Sequence, residues 1–433
     1  MILLRDLLIF IVGLGVGSLI NAAIYGLAYD WRPISPWLTP AKGNPKRIWL
    51  DCLPIVGWIL LRREEKIHGR WFWIRPLLIE LAYAAGMVWL FHFETNNGLL
   101  SANHAFLAVA SDWYPMFAVH AVLIALLTAA TFIDFDELMI PDAITLWGAI
   151  LLLIMTTAMP TSHLPSVFNK GGLVMEPLLL HSKPEVLWPN MLDEWQGLAI
   201  GLGILWLWWA AIQHGTATLR YGWLKSVSLY IESLVRLRPK HRPKYRNLLP
   251  AQILLFVLMS AATAAVWFYG GKHWHSLLTS LVGLGTAGGL VWAVRVGGWI
   301  GLRKEAMGFG DATLMTMVGV ALGWQASLLV FFVSPFAAVI IAVLNAIITR
   351  RPHIPFGPYL SLAAVIVIVA WVALWEHYSR DFFAMPGLVP SMLVSFILAM
   401  TGLLWLWRLI KPYVLTLIFG PEIDDDSESK HAR

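Results

Sequence analysis

A single cysteine, Cys52, stands in a chain of 433 residues. One thiol excludes internal disulfides and any multi-thiolate zinc site. The 13 histidines show no ligand-like spacing, so no metal centre is expected and elemental analysis should return no stoichiometric zinc. Charge is also scarce: 13% of residues are Asp, Glu, Lys or Arg against 58% hydrophobic, and the mean hydropathy of +0.69 excludes a soluble multidomain protein. Length alone would permit two or three soluble domains. Apolar runs of about 17–25 residues recur along nearly the whole sequence instead, each able to cross a bilayer as a helix. There is no internal repeat.

The composition predicts an all-α, polytopic transmembrane helical bundle of about 11 helices (range 9–12), over 7–28, 76–93, 115–133, 141–159, 196–213, 251–270, 276–300, 312–324, 326–348, 356–376 and 391–411. The first run lacks a small-residue cleavage pattern and carries Asn21 and Tyr25, so it reads as a retained helix. Basic residues alternate between loops. Arg32, Lys42, Lys46, Arg47, Arg62, Arg63, Lys66, Arg70 and Arg75 crowd 29–75, whereas 94–114 has no Lys or Arg, and 214–250 is again strongly basic. The excess of Lys and Arg marks the cytoplasmic loops, which places the N-terminus outside and the first loop inside.

Within 216–246, Leu219, Trp223, Val227, Tyr230, Leu234 and Leu237 recur at helical spacing among basic residues, the pattern of an interfacial helix seated on anionic lipid rather than of a nucleic-acid site. The charged segment Pro421 to Glu428 lacks apolar periodicity and is expected to be disordered.

Two short acidic motifs carry the chemistry: Ile133-Asp134 with Ile140-Pro141-Asp142, and Met307-Gly308-Phe309-Gly310-Asp311. Each lies at the end of an apolar run, on the same predicted membrane face. Carboxylates there are costly unless paired, hydrated or protonated, so they are functional-site candidates. Two close aspartates share a proton, one serving as base and the other as acid, which suffices to activate water against a peptide carbonyl. Gly308 and Gly310 would permit unusual dihedrals and close approach beside Asp311. The plainer alternative makes Asp134, Asp136, Glu137 and Asp142 solvated interfacial charges, with Asp142 capping the next helix. Glu80 reads as an interior polar anchor before a cofactor contact, and Cys52 as a small buried hydrophobe.

The surrounding words resemble the type IV prepilin peptidases, membrane aspartic proteases of the GxGD kind. Gly17 to Tyr25 is similar to the family's GSFLNVVIYR, Leu53 to Arg62 to IPVLSWLLLRG, and Ile74 to Leu81 to RYPLVEL. Gly308 to Leu314 resembles GxGDxKL, with Thr313 in place of the lysine, and Ile354 to Leu360 resembles IPFGPFL. The resemblance implies that Asp134 and Asp311 are the catalytic pair of an endopeptidase cutting leader peptides from type IV prepilins or pseudopilins, in pilus assembly or type II secretion. It implies a multi-pass protein of the bacterial inner membrane with a cytoplasmic active site and lipid as a further partner. Proteolysis needs no cofactor; a retained N-methyltransferase activity would call for S-adenosylmethionine. The rivals are a signal-peptide-peptidase type of GxGD protease, which would carry a Tyr-Asp motif, and a proton-coupled transporter with paired acidic residues, which internal pseudo-symmetry would support.

Two departures stand out. The zinc-type Cys pairs of the first loop are absent, so this loop must fold by packing, with Trp49, Trp58, Trp71 and Trp73 available. Four helices, rather than two, separate the aspartates. The expected organisation is a first helix (1–28), a cytoplasmic loop (29–75), helices with the first aspartate (76–160), an insertion (161–300), the GxGD motif with its helices (301–411) and an acidic tail (412–433).

Overall fold

The structure is a computed structural model and describes residues 2–29, 33–38, 40, 46–97, 113–169, 173–182, 188–213, 249–303, 306–348, 355–385 and 387–419. The basic stretch 216–246 and the acidic stretch 421–428 lie outside the described residues. The long helices are α1 (Ile2–Gly26), α2 (Ile74–His92), α3 (Tyr114–Glu137), α4 (Asp142–Ala158), α5 (Trp195–Gln213), α6 (Leu249–Tyr269), α7 (Gly271–Leu302), α8 (Phe309–Ile348), α9 (Gly357–Val369) and α10 (Leu388–Phe419). Among the described residues seven helices are long and apolar enough to cross a membrane, or eight if Gly357–Val369 and the following Ala373–Phe383, bent by 82°, form one span. Asp142–Ala158 and Ile253–Tyr269 are shorter apolar helices. The protein is an all-α polytopic bundle, and one antiparallel hairpin, β1 (Pro165–Asn169) with β2 (Leu173–Pro177), pairs Val167 with Met175.

Each of the eleven sequence-predicted spans meets a helical stretch, but 312–324 and 326–348 fall in the one element α8. Gly323 breaks it with φ 81° and ψ 172°, a conformation open to glycine and strained for other residues. Trp324 Nε1 and Gln325 Nε2 donate to the carbonyls of Leu180 and Leu179, at the end of the bundle remote from Asp311. At Gly323 α8 is therefore two helical rods rather than one continuous helix. Helix α10 runs to Phe419, past the predicted boundary at 411.

Apolar helices have no hydrophobic reason to associate in lipid, so small residues that admit close backbone contact do much of the work. On α1, a Cβ at Gly13 would lie 2.7 Å from the Ala84 backbone and one at Gly17 would lie 2.8 Å from that of Glu80, so α1 lies flush on α2. Gly283 of α7 and Gly319 of α8 face each other's carbonyls in the same manner. Leu3, Leu7 and Val12 on α1 and Val394, Leu398 and Leu403 on α10 stay exposed, as lipid-facing side chains do.

One end of the bundle gathers both acidic motifs and the first loop. Arg75 Nη1 donates to Asp136 Oδ1 at 2.9 Å and stacks over Phe132, and the Tyr29 amide donates to Glu137 Oε2 at 2.7 Å. The far end is closed by the hairpin: Glu376 accepts from Ser166 Oγ and the Val167 amide, and Trp371 Nε1 donates to the Pro165 carbonyl. His163, fully buried there beyond α4, lies with Nε2 2.9 Å from Ser276 Oγ. Burial, followed by the nearby His120, brings the His163 imidazole down to about 4 against the favourable Ser276 contact. The unfolded chain then binds a proton that the folded chain refuses between pH 6.5 and 4, so stability falls as pH drops through that window. Denaturation in detergent should show a loss of at most about 3 kcal/mol from this group, removed in His163→Gln.

The first loop departs from the packing expectation. Trp58 is buried, yet Trp49 and Trp71 are exposed. Ion pairs hold the loop instead. Arg47 grips Glu64 through Nε and Nη2 at 3.2 and 2.9 Å and donates to the carbonyls of Pro33, Ser35 and Leu38, while His68 Nε2 lies 3.1 Å from Glu64 Oε2. Arg63 pairs both oxygens of Asp51. Burial works against ionisation of Asp51, but the Arg63 hydrogen bonds and the Ile48 amide outweigh it and hold that carboxyl below its ordinary range. Cys52, half-buried beside Pro36, has its thiol pushed up by burial and by the Asp51 charge, the opposite of a reactive thiol.

Candidate active site

The polar residues of the two motifs converge because four helix ends meet there. Asp134 sits in the last turn of α3, which stops at Leu138 in the left-handed conformation (φ 56°). The connector Met139 to Pro141 then folds back, and Pro141 sets the entry to α4. Asp311 lies in the first turn of α8, its Oδ2 accepting from the Gly308 amide at 3.0 Å, a local bond that fixes the side chain. Gly357 opens α9 against Asp134.

Ile140 is the joint between the two halves. A Cβ at Gly310 would lie 2.9 Å from Ile140 Cβ, and one at Gly357 would lie 2.7 Å from Ile140 Cδ1 and 2.5 Å from Asp134 Oδ2. The glycines therefore serve close approach, and neither Gly308 nor Gly310 adopts positive φ. Asp134 and Asp311 are both buried, at 4% and 7% exposure, and near enough for their charges to repel. Asp134 Oδ2 has no hydrogen-bond partner among the described residues. Thr145 of α4 donates to Thr313 Oγ1 at 3.0 Å, and Thr313 donates to the Gly310 carbonyl, tying α4 to the first turn of α8. Gly357→Val should accordingly displace Asp134 or Ile140 and loosen that joint; the check is loss of activity by at least about 100-fold in a protein that still inserts but melts earlier in detergent.

Several sequence-predicted residues take other parts. Asp142 is the first residue of α4 and makes no side-chain cap; Pro141 holds the cap position, and the carboxylate contributes only through the helix dipole. Asp136 and Glu137 are engaged by Arg75 and the Tyr29 amide rather than left as solvated charges. Glu80 is an internal anchor: Oε1 accepts from Trp58 Nε1 at 2.8 Å and Asn21 Nδ2 at 3.3 Å, and Oε2 accepts from the Ile55 amide at 2.6 Å. It joins α1, α2 and the first loop.

Sequence reasoning missed Arg295. This α7 residue is 1% exposed, its guanidinium lies 4.9 Å from the Trp292 ring and 5.7 Å from the Phe309 ring, and its charge acts on Asp311. The signal was available, since Arg295 is a lone charge inside an apolar run.

Comparison with known proteins gives the same direction. Residues 245–343 match the model of the type IV leader peptidase family, a segment that includes Asp311. The prepilin leader peptidase/N-methyltransferase of Escherichia coli K12 is 30% identical over 89 residues, covering 20% of this chain and 40% of that protein. The proteins of the same name from Aeromonas hydrophila and Pseudomonas aeruginosa are 35% identical over 83 residues and 36% over 89, covering 28% and 29% of their lengths. The chain thus spans less than half the length of these curated relatives. No solved structure matches it. Over these segments the chain is similar to the type IV leader peptidase family and to proteins named prepilin leader peptidase/N-methyltransferase.

Proposed function

We propose that the protein is a membrane aspartic endopeptidase that removes leader peptides from type IV prepilins or pseudopilins at the cytoplasmic face of the inner membrane, with Asp134 and Asp311 as the catalytic pair. One observation carries the reading: two aspartates from distant stretches are buried together around Ile140, where glycines at 310 and 357 leave room for nothing larger. Two repelling carboxylates hold one proton between them. The ionised member takes a proton from water as it attacks the scissile carbonyl, and the protonated member delivers one to the departing amine. The Gly308 amide keeps Asp311 in place through this exchange, and Arg295 lends positive charge to that side of the pair. The basic first loop shares this end of the bundle, which supports the cytoplasmic orientation.

For the second activity in the relatives' names, S-adenosylmethionine would supply a methyl group for the new N-terminal amine. Glu80 has both oxygens engaged by Trp58, Asn21 and Ile55, so it does not fit a cofactor contact. Co-expression with a candidate prepilin tests the proteolytic reading. A leader-sized mobility shift is expected; an uncut precursor beside a well-inserted protein overturns it.

A further inference from the structure

The insertion between the aspartates does more than lengthen the chain. Helix α5, which belongs to it, packs on α7, and a half-open cleft of 460 Å³ is lined by α5, α7 and the start of α8. Phe309 and Thr313, which flank Asp311, form one wall; Trp208 and Leu207 of α5 form another; Gly289 and Trp292 of α7 complete it. No charged side chain lines it among the described residues. It follows α7 from Val282 to Trp292, roughly 15 Å at 1.5 Å per residue, and so descends from the motif toward the middle of the bundle. Trp208 is 7% exposed, and its indole N–H has no acceptor among the described residues.

We infer that this cavity is a subsite, built by the inserted helix α5, for the apolar residues of the substrate that adjoin the scissile bond. The inference rests on the peptidase reading of Asp134 and Asp311. A peptide bond held at the helix ends places its neighbouring residues against Phe309 and Thr313, where the walls are uncharged and the space suits a few apolar side chains rather than a whole helix. Trp208 N–H supplies one hydrogen bond, to a substrate carbonyl. Because the inserted helix forms a wall, the insertion sets which residues are accepted beside the cut.

Gly289 offers a clean test, since a Cβ there meets nothing within 4 Å and a longer side chain enters the cavity without displacing the fold. The probes are two synthetic peptides spanning a leader junction, one with its apolar residues intact and one with them replaced by Ala. The unaltered protein should prefer the first in kcat/KM by on the order of 10-fold. Gly289→Leu should bring that ratio close to one by lowering the first value alone. A folded Gly289→Leu protein with an unchanged ratio, or with both values reduced alike, overturns the inference.

Should Gly289→Leu fail to insert, Trp208→Phe replaces it and should weaken binding of both peptides by about 5-fold, the worth of one hydrogen bond; unchanged binding overturns the inference. Peptide affinity measured on Asp311→Asn, with and without Gly289→Leu, separates the subsite from the chemistry. If the unaltered protein cuts neither peptide, the peptidase reading fails and takes the inference with it; if it cuts both and Gly289→Leu leaves their affinities unchanged, the inference alone fails. If filling expels a co-purifying lipid and leaves peptide affinity unchanged, the cavity holds lipid and the inference fails.

Discussion

Asp134→Asn and Asp311→Asn should each abolish leader cleavage while the protein still inserts and retains its melting profile. An amide neither accepts nor shares the proton that the pair exchanges, and loss of a general acid or base alone costs about 10²–10⁴-fold. Neither side chain is part of the joint that holds the bundle. Ile140, Gly310 and Gly357 provide the packing there, and asparagine keeps the shape of the aspartate it replaces. Asp136→Asn provides the contrast. It loosens a half-exposed pair with Arg75, worth roughly 0.2–1 kcal/mol, and should leave most activity in place. Cleavage of a prepilin, quantified against insertion, decides the matter; substantial turnover by either of the first two variants sinks the catalytic assignment.

Glu64→Ala should be the most destabilising single change in the first loop. Glu64 is fully buried and Arg47 nearly so, and their pairing is extended by His68 and three backbone carbonyls. Removal of one partner leaves a buried guanidinium uncompensated, at a cost of roughly 3–5 kcal/mol. Arg62→Ala, which breaks a 3.7 Å pair with Glu65 that is largely exposed on the arginine side, should cost much less. Limited proteolysis of 29–75 in detergent would rank the two. Equal protease resistance in Glu64→Ala and the unaltered protein would show that tryptophan packing holds the loop after all.

The two changes illustrate different degrees of legibility. The helical bundle followed from apolar run lengths, because a backbone in lipid must satisfy its own hydrogen bonds and the helix does so locally. Asp134 and Asp311 stood out for a related reason: a carboxylate at the edge of an apolar run is rare enough to signal itself. Gly323 was visible only as a boundary between two predicted spans, and its break at φ 81° makes α8 a pair of rods. The expected cap at Asp142 failed because Pro141 took the cap position, a one-residue shift that propensity does not resolve. The first loop was misread because its tryptophans were conspicuous, whereas the partnership of Arg47 with Glu64 depends on a chain reversal between them.

By itself the sequence determined that this chain is an apolar, polytopic helical bundle, that its basic loops alternate, and that two acidic motifs end apolar runs, since run length, charge and spacing are local properties. Only the tertiary structure decided that Ile140 packs beside Asp134 and the Asp311 motif, that Arg295 is buried against Trp292 and Phe309, that Glu80 is spent as an anchor, and that α5 lines a cleft beside Phe309. Those contacts join residues far apart along the chain, and which helix faces meet is set by glycine close approach and by buried hydrogen bonds that appear only once the helices pack.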